Sequence, residues 1–137
     1  MHETIPAHGG ELIDLAARGD EREALRERAA ALPVLRLNDR TVSDLELLGN
    51  GGFSPLRGFM GRADYDAVVE SMQLASGLPW PIPVTLAADR EEAEGLSEGS
   101  EVALADEAGV VLAATRAASV RNPLRLASMY TEPRTAA

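Results

Sequence analysis

Hydrophobic and polar positions follow two periods along this chain, one helical and one extended, and the change between them divides it roughly in half. EREALRERAAAL, after Asp20, sets Ala24, Leu25 and Leu32 on one side together with Arg28. This predicts a helix capped by Asp20, stopped by Pro33 and solvated on its charged face. VLRLN (34–38) alternates and predicts a short strand. In TVSDLELLGNGG, Ser43 and Glu46 have the spacing of a capping box, and Gly49 suits the left-handed close of a short helix. ADYDAVVESMQL (63–74) is the clearest helix: Tyr65, Val68, Val69 and Met72 fall at i, i+3, i+4 and i+7, one apolar face, with Gly77 as its end.

The extended period then takes over. WPIPVTLAA (80–88) places Trp80, Ile82, Val84 and Leu86 on one side. Pro81 and Pro83 lack the N–H a ladder needs, which makes this an edge strand or a strand's start. Acidic REEAEGLSEGS (90–100) predicts a loop, and EVALADEAGVVLAAT (101–115) two strands about a D-E-A-G turn. The segment 1–19 predicts an extended lead with a Gly9-Gly10 turn, and no fold-forming period continues beyond Ala118. Helices in the first half and a small, largely antiparallel sheet in the second make an α+β or barrel-like domain.

Composition narrows what such a domain does. A chain of 137 residues fits one domain, and with 45% apolar but only 4% aromatic residues its core is built mainly from Leu, Val, Ile and Ala. The net charge of −9 argues against a nucleic-acid backbone or an anionic membrane as partner. It is unevenly spread: −12 through residue 115 and +3 from Arg116 onward. All 13 basic residues are Arg, which excludes lysine chemistry, a phosphate-loop lysine included. The absence of Cys removes disulfides, thiolate nucleophiles and Cys-based metal sites, and fits a reducing, cytoplasmic setting. His2 and His8 are the only histidines, so a His base or His metal site in the body of the domain is not expected. No apolar run approaches the roughly 20 residues that cross a bilayer, and MHETIPAHGGEL has no basic-then-apolar secretory pattern.

The candidate chemistry centres on GGFSPLRGFM (51–60), followed by Gly61, where Gly51, Gly52 and Gly58 suggest a phosphate loop. Such a loop needs consecutive backbone N–H groups aimed at one anion. The spacing matches no phosphate-binding pattern, Pro55 has no N–H, and Phe53, Leu56 and Phe59 call for burial. The favoured reading is a compact turn pinned by two buried aromatics. Asp64 and Asp66, and the cluster Glu91, Glu92 and Glu94, offer paired carboxylates, but a helix-start acid and a solvated loop account for them. His8 reads as structural or solvent-facing, and Ser43, Ser54 and Ser119 have no recognisable activating partner. No catalytic, substrate-binding or metal-binding residue is assigned, and no cofactor is expected.

Several of these elements, in order and spacing, resemble the N-terminal domain of the sulfate adenylyltransferase (ATP sulfurylase) family. They are His8-Gly9-Gly10; GGFSPLRGFM at 51–60; Asp64, Tyr65, Val68, Val69, Met72 and Leu74; WPIPVTL at 80–86; and Gly99, Val102, Leu104, Asp106, Gly109, Leu112 and Ala113. The match runs from residue 8 to about 116. It implies a PUA-like fold, a small β-barrel with packed helices, over residues 1–118, with 119–137 a non-matching tail. It also implies that the family's catalytic nucleotidyltransferase domain, which converts ATP and sulfate to adenosine 5′-phosphosulfate and pyrophosphate, is absent from these 137 residues. VRNPL (120–124) is the nearest approach to the family's sulfate-binding Q-x-R-N segment, but Ser119 stands in place of Gln and no histidine follows. The resemblance therefore implies an isolated or truncated structural domain without catalysis of its own. Its expected partner is a sulfurylase catalytic domain or subunit. The alternative is a stand-alone PUA-like binding module, for RNA or a separate catalytic chain, and the acidic charge weighs against RNA.

Overall fold

The computed structural model describes residues 4–97, 99–119 and 125–131. In chain order its elements are α1 (Gly19–Ala29), β1 (Val34–Arg36), α2 (Asp39–Asn50), α3 (Arg62–Ser71), α4 (Arg90–Glu94), β2 (Glu101–Ala105), β3 (Val111–Ser119) and β4 (Arg125–Thr131). The strands form one mixed sheet in the order β1-β2-β3-β4. β1 runs parallel to β2, with Leu35 opposite Leu104, and the other pairs are antiparallel.

The β2–β3 hairpin closes where the D-E-A-G turn was expected. The Asp106 carboxylate accepts from the Val110 N–H at 2.9 Å, its backbone N–H donates to the Val110 carbonyl at 3.0 Å, and Gly109 takes φ 87°. β4 lies in the segment where no period was legible, and it pairs with β3 through Thr115 opposite Met129. Among the described residues the sheet is open, with β1 and β4 at its edges, rather than the small barrel that the resemblance implied. The fold is an α+β arrangement of helices with a mixed sheet.

Local chemistry moves several boundaries. Asn38, not Ser43, caps α2: its Oδ1 accepts from the Thr41 N–H at 2.9 Å, while Ser43 lies inside the helix and donates to the Asp39 carbonyl at 3.1 Å. An Asn followed by an acid starts the helix a turn earlier, so the Ser43–Glu46 pair is not a box. α2 ends at Gly51, φ 87°, two residues past Gly49, which is buried within the helix and accepts at its carbonyl from Leu15. α1 takes Arg18 as its N-cap residue, without a side-chain capping bond, and Asp20 stands in its first turn. Residues 90–94, expected as loop, form α4 through a reciprocal box: Asp89 accepts from the Glu92 N–H at 2.8 Å and Glu92 accepts from the Asp89 N–H at 3.0 Å.

α3 ends before its apolar pattern does. Met72 takes a left-handed φ of 53°, and residues 73–79 turn back, with Gly77 inside the turn and Trp80 N–H donating to the Met72 carbonyl at 2.8 Å. Val68 is therefore buried, while Val69 and Met72 are 59% and 60% exposed, which corrects the single apolar face. Residues 80–88 join no strand, and Pro81 and Pro83 have no N–H to donate to one. They are tied in at Val84, whose carbonyl accepts from Met60 N–H at 2.8 Å; Trp80, Val84 and Leu86 are buried but Ile82 is 58% exposed. The core is mainly aliphatic, with Leu45, Leu48, Leu86, Val102 and Leu104 around Phe59. Among the described residues no helix is long and apolar enough to cross a membrane.

Candidate functional site

GGFSPLRGFM is a knot of backbone bonds directed inward. The N–H of Gly52 donates to Asn50 Oδ1 at 2.9 Å, that of Phe53 to Leu47 O at 3.2 Å, that of Ser54 to Gly51 O at 3.1 Å, and that of Leu56 to Phe53 O at 2.9 Å. Pro55, after a cis bond from Ser54, has none to offer. Donors spent inside the turn cannot converge on an anion, so the phosphate-cradle reading has no geometry to rest on. Gly51 is required twice over: its φ is positive, and a Cβ would stand 2.7 Å from Leu12 Cδ1 and 3.0 Å from the Ile13 carbonyl. Buried Ser54 fastens the leading segment to this turn. Its Oγ accepts from the Ile13 N–H at 2.8 Å and donates to the Gly51 carbonyl at 2.7 Å. A hydroxyl so engaged is structural, not a nucleophile.

The aromatics divide. Phe59 is buried at 1% exposure, whereas Phe53 is only partly covered and meets Trp80 edge-on at 5.8 Å between ring centres. Only one of the two phenylalanines is therefore fully buried; the other packs on the core's margin and lines a surface hollow. His8 also meets Trp80, 5.9 Å between ring centres, with Nε2 2.8 Å from the Pro79 carbonyl. A carbonyl only accepts, so Nε2 carries the hydrogen and His8 acts as a tie between the leading segment and the 73–79 turn.

The acidic candidates do not assemble. Asp64, in the first turn of α3, accepts from the Ala75 N–H at 2.9 Å; Asp66 pairs with Arg62 at 3.5 Å in solvent; Glu92 belongs to the α4 cap and Glu91 and Glu94 are exposed. Among the described residues no three His, Asp or Glu side chains group as a metal site would require. Burial pushes the Asp44 carboxyl above the usual carboxylate range, with Arg40 opposing. The Ala16 N–H, followed by the Arg18 side chain, holds exposed Asp14 below it. Ser119 is described only as β3 backbone, and the VRNPL run from Val120 to Leu124 lies outside the described residues.

The fold does form an open cleft of about 700 Å³ where His8, Phe53, Met72, Trp80, Pro81 and Ile82 meet, with Gly52, Ser54 and Pro79 in its floor and rim. Among the described residues no acid or arginine lines it. Its chemistry is that of a water-shedding surface, suited to apolar contact and not to proton or phosphoryl transfer. Sequence reasoning assigned Met72 to a helix's apolar face, Trp80 and Ile82 to one side of a strand, Phe53 to a turn and His8 to a structural or solvent-facing position. The available signal was local: Met72 sits where α3 breaks, and Ile82 stands between two prolines.

A family model described as "PUA-like domain" matches residues 5–128. The sulfate adenylyltransferase of Symbiobacterium thermophilum is 52% identical over 118 residues, covering 86% of this chain and 30% of that protein. The sulfate adenylyltransferase of Synechococcus sp. (strain JA-3-3Ab) is 48% identical over 110 residues, 80% of this chain and 28% of that protein. A solved structure, a hexameric APS kinase from Thiobacillus denitrificans, superposes with a TM-score of 0.81 at 34% identity over 97% of this chain and 28% of that one. The chain spans less than a third of each of these relatives.

Proposed function

The chain belongs to the PUA-like domain family, and from that premise we propose that it serves as the structural N-terminal domain of a sulfate adenylyltransferase-type protein, bracing a catalytic region and performing no chemistry alone. In this reading residues 1–118 form the domain proper, and 119–137, which the family model enters as far as residue 128, lend β4 to the sheet. The small barrel of the family is completed, in this proposal, outside the described sheet. The catalytic region, whether on the same polypeptide or a separate subunit, converts ATP and sulfate to adenosine 5′-phosphosulfate and pyrophosphate in the cytoplasm. The observation that carries the reading is the identity of about one half to sulfate adenylyltransferases over a segment amounting to 30% of such a protein. The inward-turned N–H groups of the glycine stretch and the separately engaged Ser54, His8 and Asp64 support a bracing role.

The test is direct. The purified chain, given ATP with and without sulfate, is expected to release no more pyrophosphate with sulfate than without it. Release that depends on sulfate and scales with the amount of chain overturns the proposal.

A further inference from the structure

The cleft beside Trp80 is not explained by the needs of the fold. Val68, Trp80, Val84 and Leu86 close the core, yet Met72 and Ile82, from the same two segments, stand 60% and 58% exposed across the hollow from Phe53. Leu47, 38% exposed, continues this apolar surface: its Cδ2 lies 2.8 Å from where a Cβ on Gly52 would be, and Gly52 lines the cleft. Met72 is a poor choice for its own backbone, because a left-handed φ costs a non-glycine residue about 1–2 kcal/mol and Gly or Asn would end the helix more easily. Ile82 stands at a bend between two prolines and is 58% exposed. Both side chains are accounted for by something that covers them.

We propose that this cleft docks an uncharged, apolar-sided segment of the catalytic region that accompanies such a domain in sulfate adenylyltransferases. The proposal rests on the structural-domain reading above and names the surface through which it acts. Charge selects the occupant. The chain carries −9 overall, yet among the described residues no acid or arginine lines the cleft. A charged or nucleic-acid segment would be desolvated there without compensation. A Met-, Trp- and Phe-lined hollow has the composition of an interface core. Length selects it too. The Symbiobacterium thermophilum relative is matched over 30% of its length, so most of that protein is polypeptide available to lie against this face. A segment held on the same polypeptide docks at high effective concentration, so a shallow cleft suffices.

The experiment uses the full-length Symbiobacterium thermophilum enzyme with its matched 118-residue segment exchanged for the corresponding part of this chain. A photoreactive benzoylphenylalanine is placed singly at position 72, at position 82, or at position 110, which is 57% exposed on the β2–β3 turn. Light is expected to join positions 72 and 82 to peptides outside the exchanged segment on the same polypeptide, and position 110 to none of them. Cross-links from 72 and 82 that stay within the segment, reach a second copy, form no more readily than from 110, or fail to form overturn the docking surface. If the exchanged protein does not fold, the same groups at the aligned positions of the natural enzyme give the same two readings. Negative cross-linking with a chain that releases no pyrophosphate removes this surface and leaves the structural role standing, whereas sulfate-dependent release by the chain alone removes the role itself.

Discussion

Replacing Ser54 with Ala tests the claim that GGFSPLRGFM is a structural knot. The hydroxyl is buried at 4% exposure, accepts from the Ile13 N–H at 2.8 Å and donates to the Gly51 carbonyl at 2.7 Å. Ser54→Ala removes both bonds and leaves the Ile13 N–H enclosed without an acceptor. An orphaned buried donor costs about 1–3 kcal/mol, and the carbonyl keeps its bond from the Ser54 N–H, so about 2 kcal/mol is the expected loss. With an unfolding entropy of about 2.1 cal/mol/K per residue over 137 residues, that loss lowers Tm by about 7 °C. The assay is a thermal melt followed by circular dichroism, paired with amide hydrogen exchange. Exchange at Ile13 is expected to accelerate more than at Leu104, in the middle of the sheet. Ser97→Ala serves as the control: only its backbone carbonyl takes part, accepting from Ser100, so its melt is expected to stay within about 2 °C of the parent. A Ser54→Ala variant that melts with the parent, or whose Ile13 amide exchanges unchanged, refutes the knot.

Three further outcomes follow from the same geometry. Gly51→Ala is expected to destabilise by about 2 kcal/mol or more, from the left-handed penalty plus contact with Leu12 and the Ile13 carbonyl, whereas Gly61→Ser, at an extended N-cap with open space around it, is expected to stabilise by about 0.5–1 kcal/mol; chemical denaturation resolves both signs. Asp44 has a folded-state pKa raised mainly by burial, so the folded state binds the proton more tightly and stability falls as pH rises through the carboxylate range. Asp44→Asn is accordingly expected to raise Tm at pH 7 and to lose that advantage below the unfolded carboxylate pKa; an equal shift at both pH values contradicts the assignment. Phe59→Ala, at 1% exposure in the core, is expected to lose about 3–5 kcal/mol, read as a denaturation midpoint moved sharply down or as loss of the cooperative transition.

What was legible in the sequence was whatever depended on neighbours a few residues apart. The Asp106–Gly109 turn needs only its own four residues, and it formed where expected. The Asp89–Glu92 box was equally local but was hidden in a charge run read as solvated loop. The Ser43–Glu46 spacing misled because Asn38 offered a better cap one turn upstream, and the two cannot both start the helix. The face of α3 failed for another reason. Periodicity reports which side chains are apolar, not where the backbone turns away, and the left-handed break at Met72 left half of the face in water. β4 was invisible because its pairing depends on β3 rather than on an alternation of its own. The cleft joins the leading segment, the glycine stretch, the end of α3 and the 79–82 run, so no single window could contain it. The family resemblance, carried by short motifs in fixed order, was the one long-range signal the sequence held.

The most direct measurement is sulfate-dependent pyrophosphate release, followed side by side for this chain and for the Symbiobacterium thermophilum enzyme carrying this chain's segment in place of its own. A structural domain predicts release by the exchanged enzyme and none by the chain. Release by the chain alone, saturating with sulfate, would contradict the account.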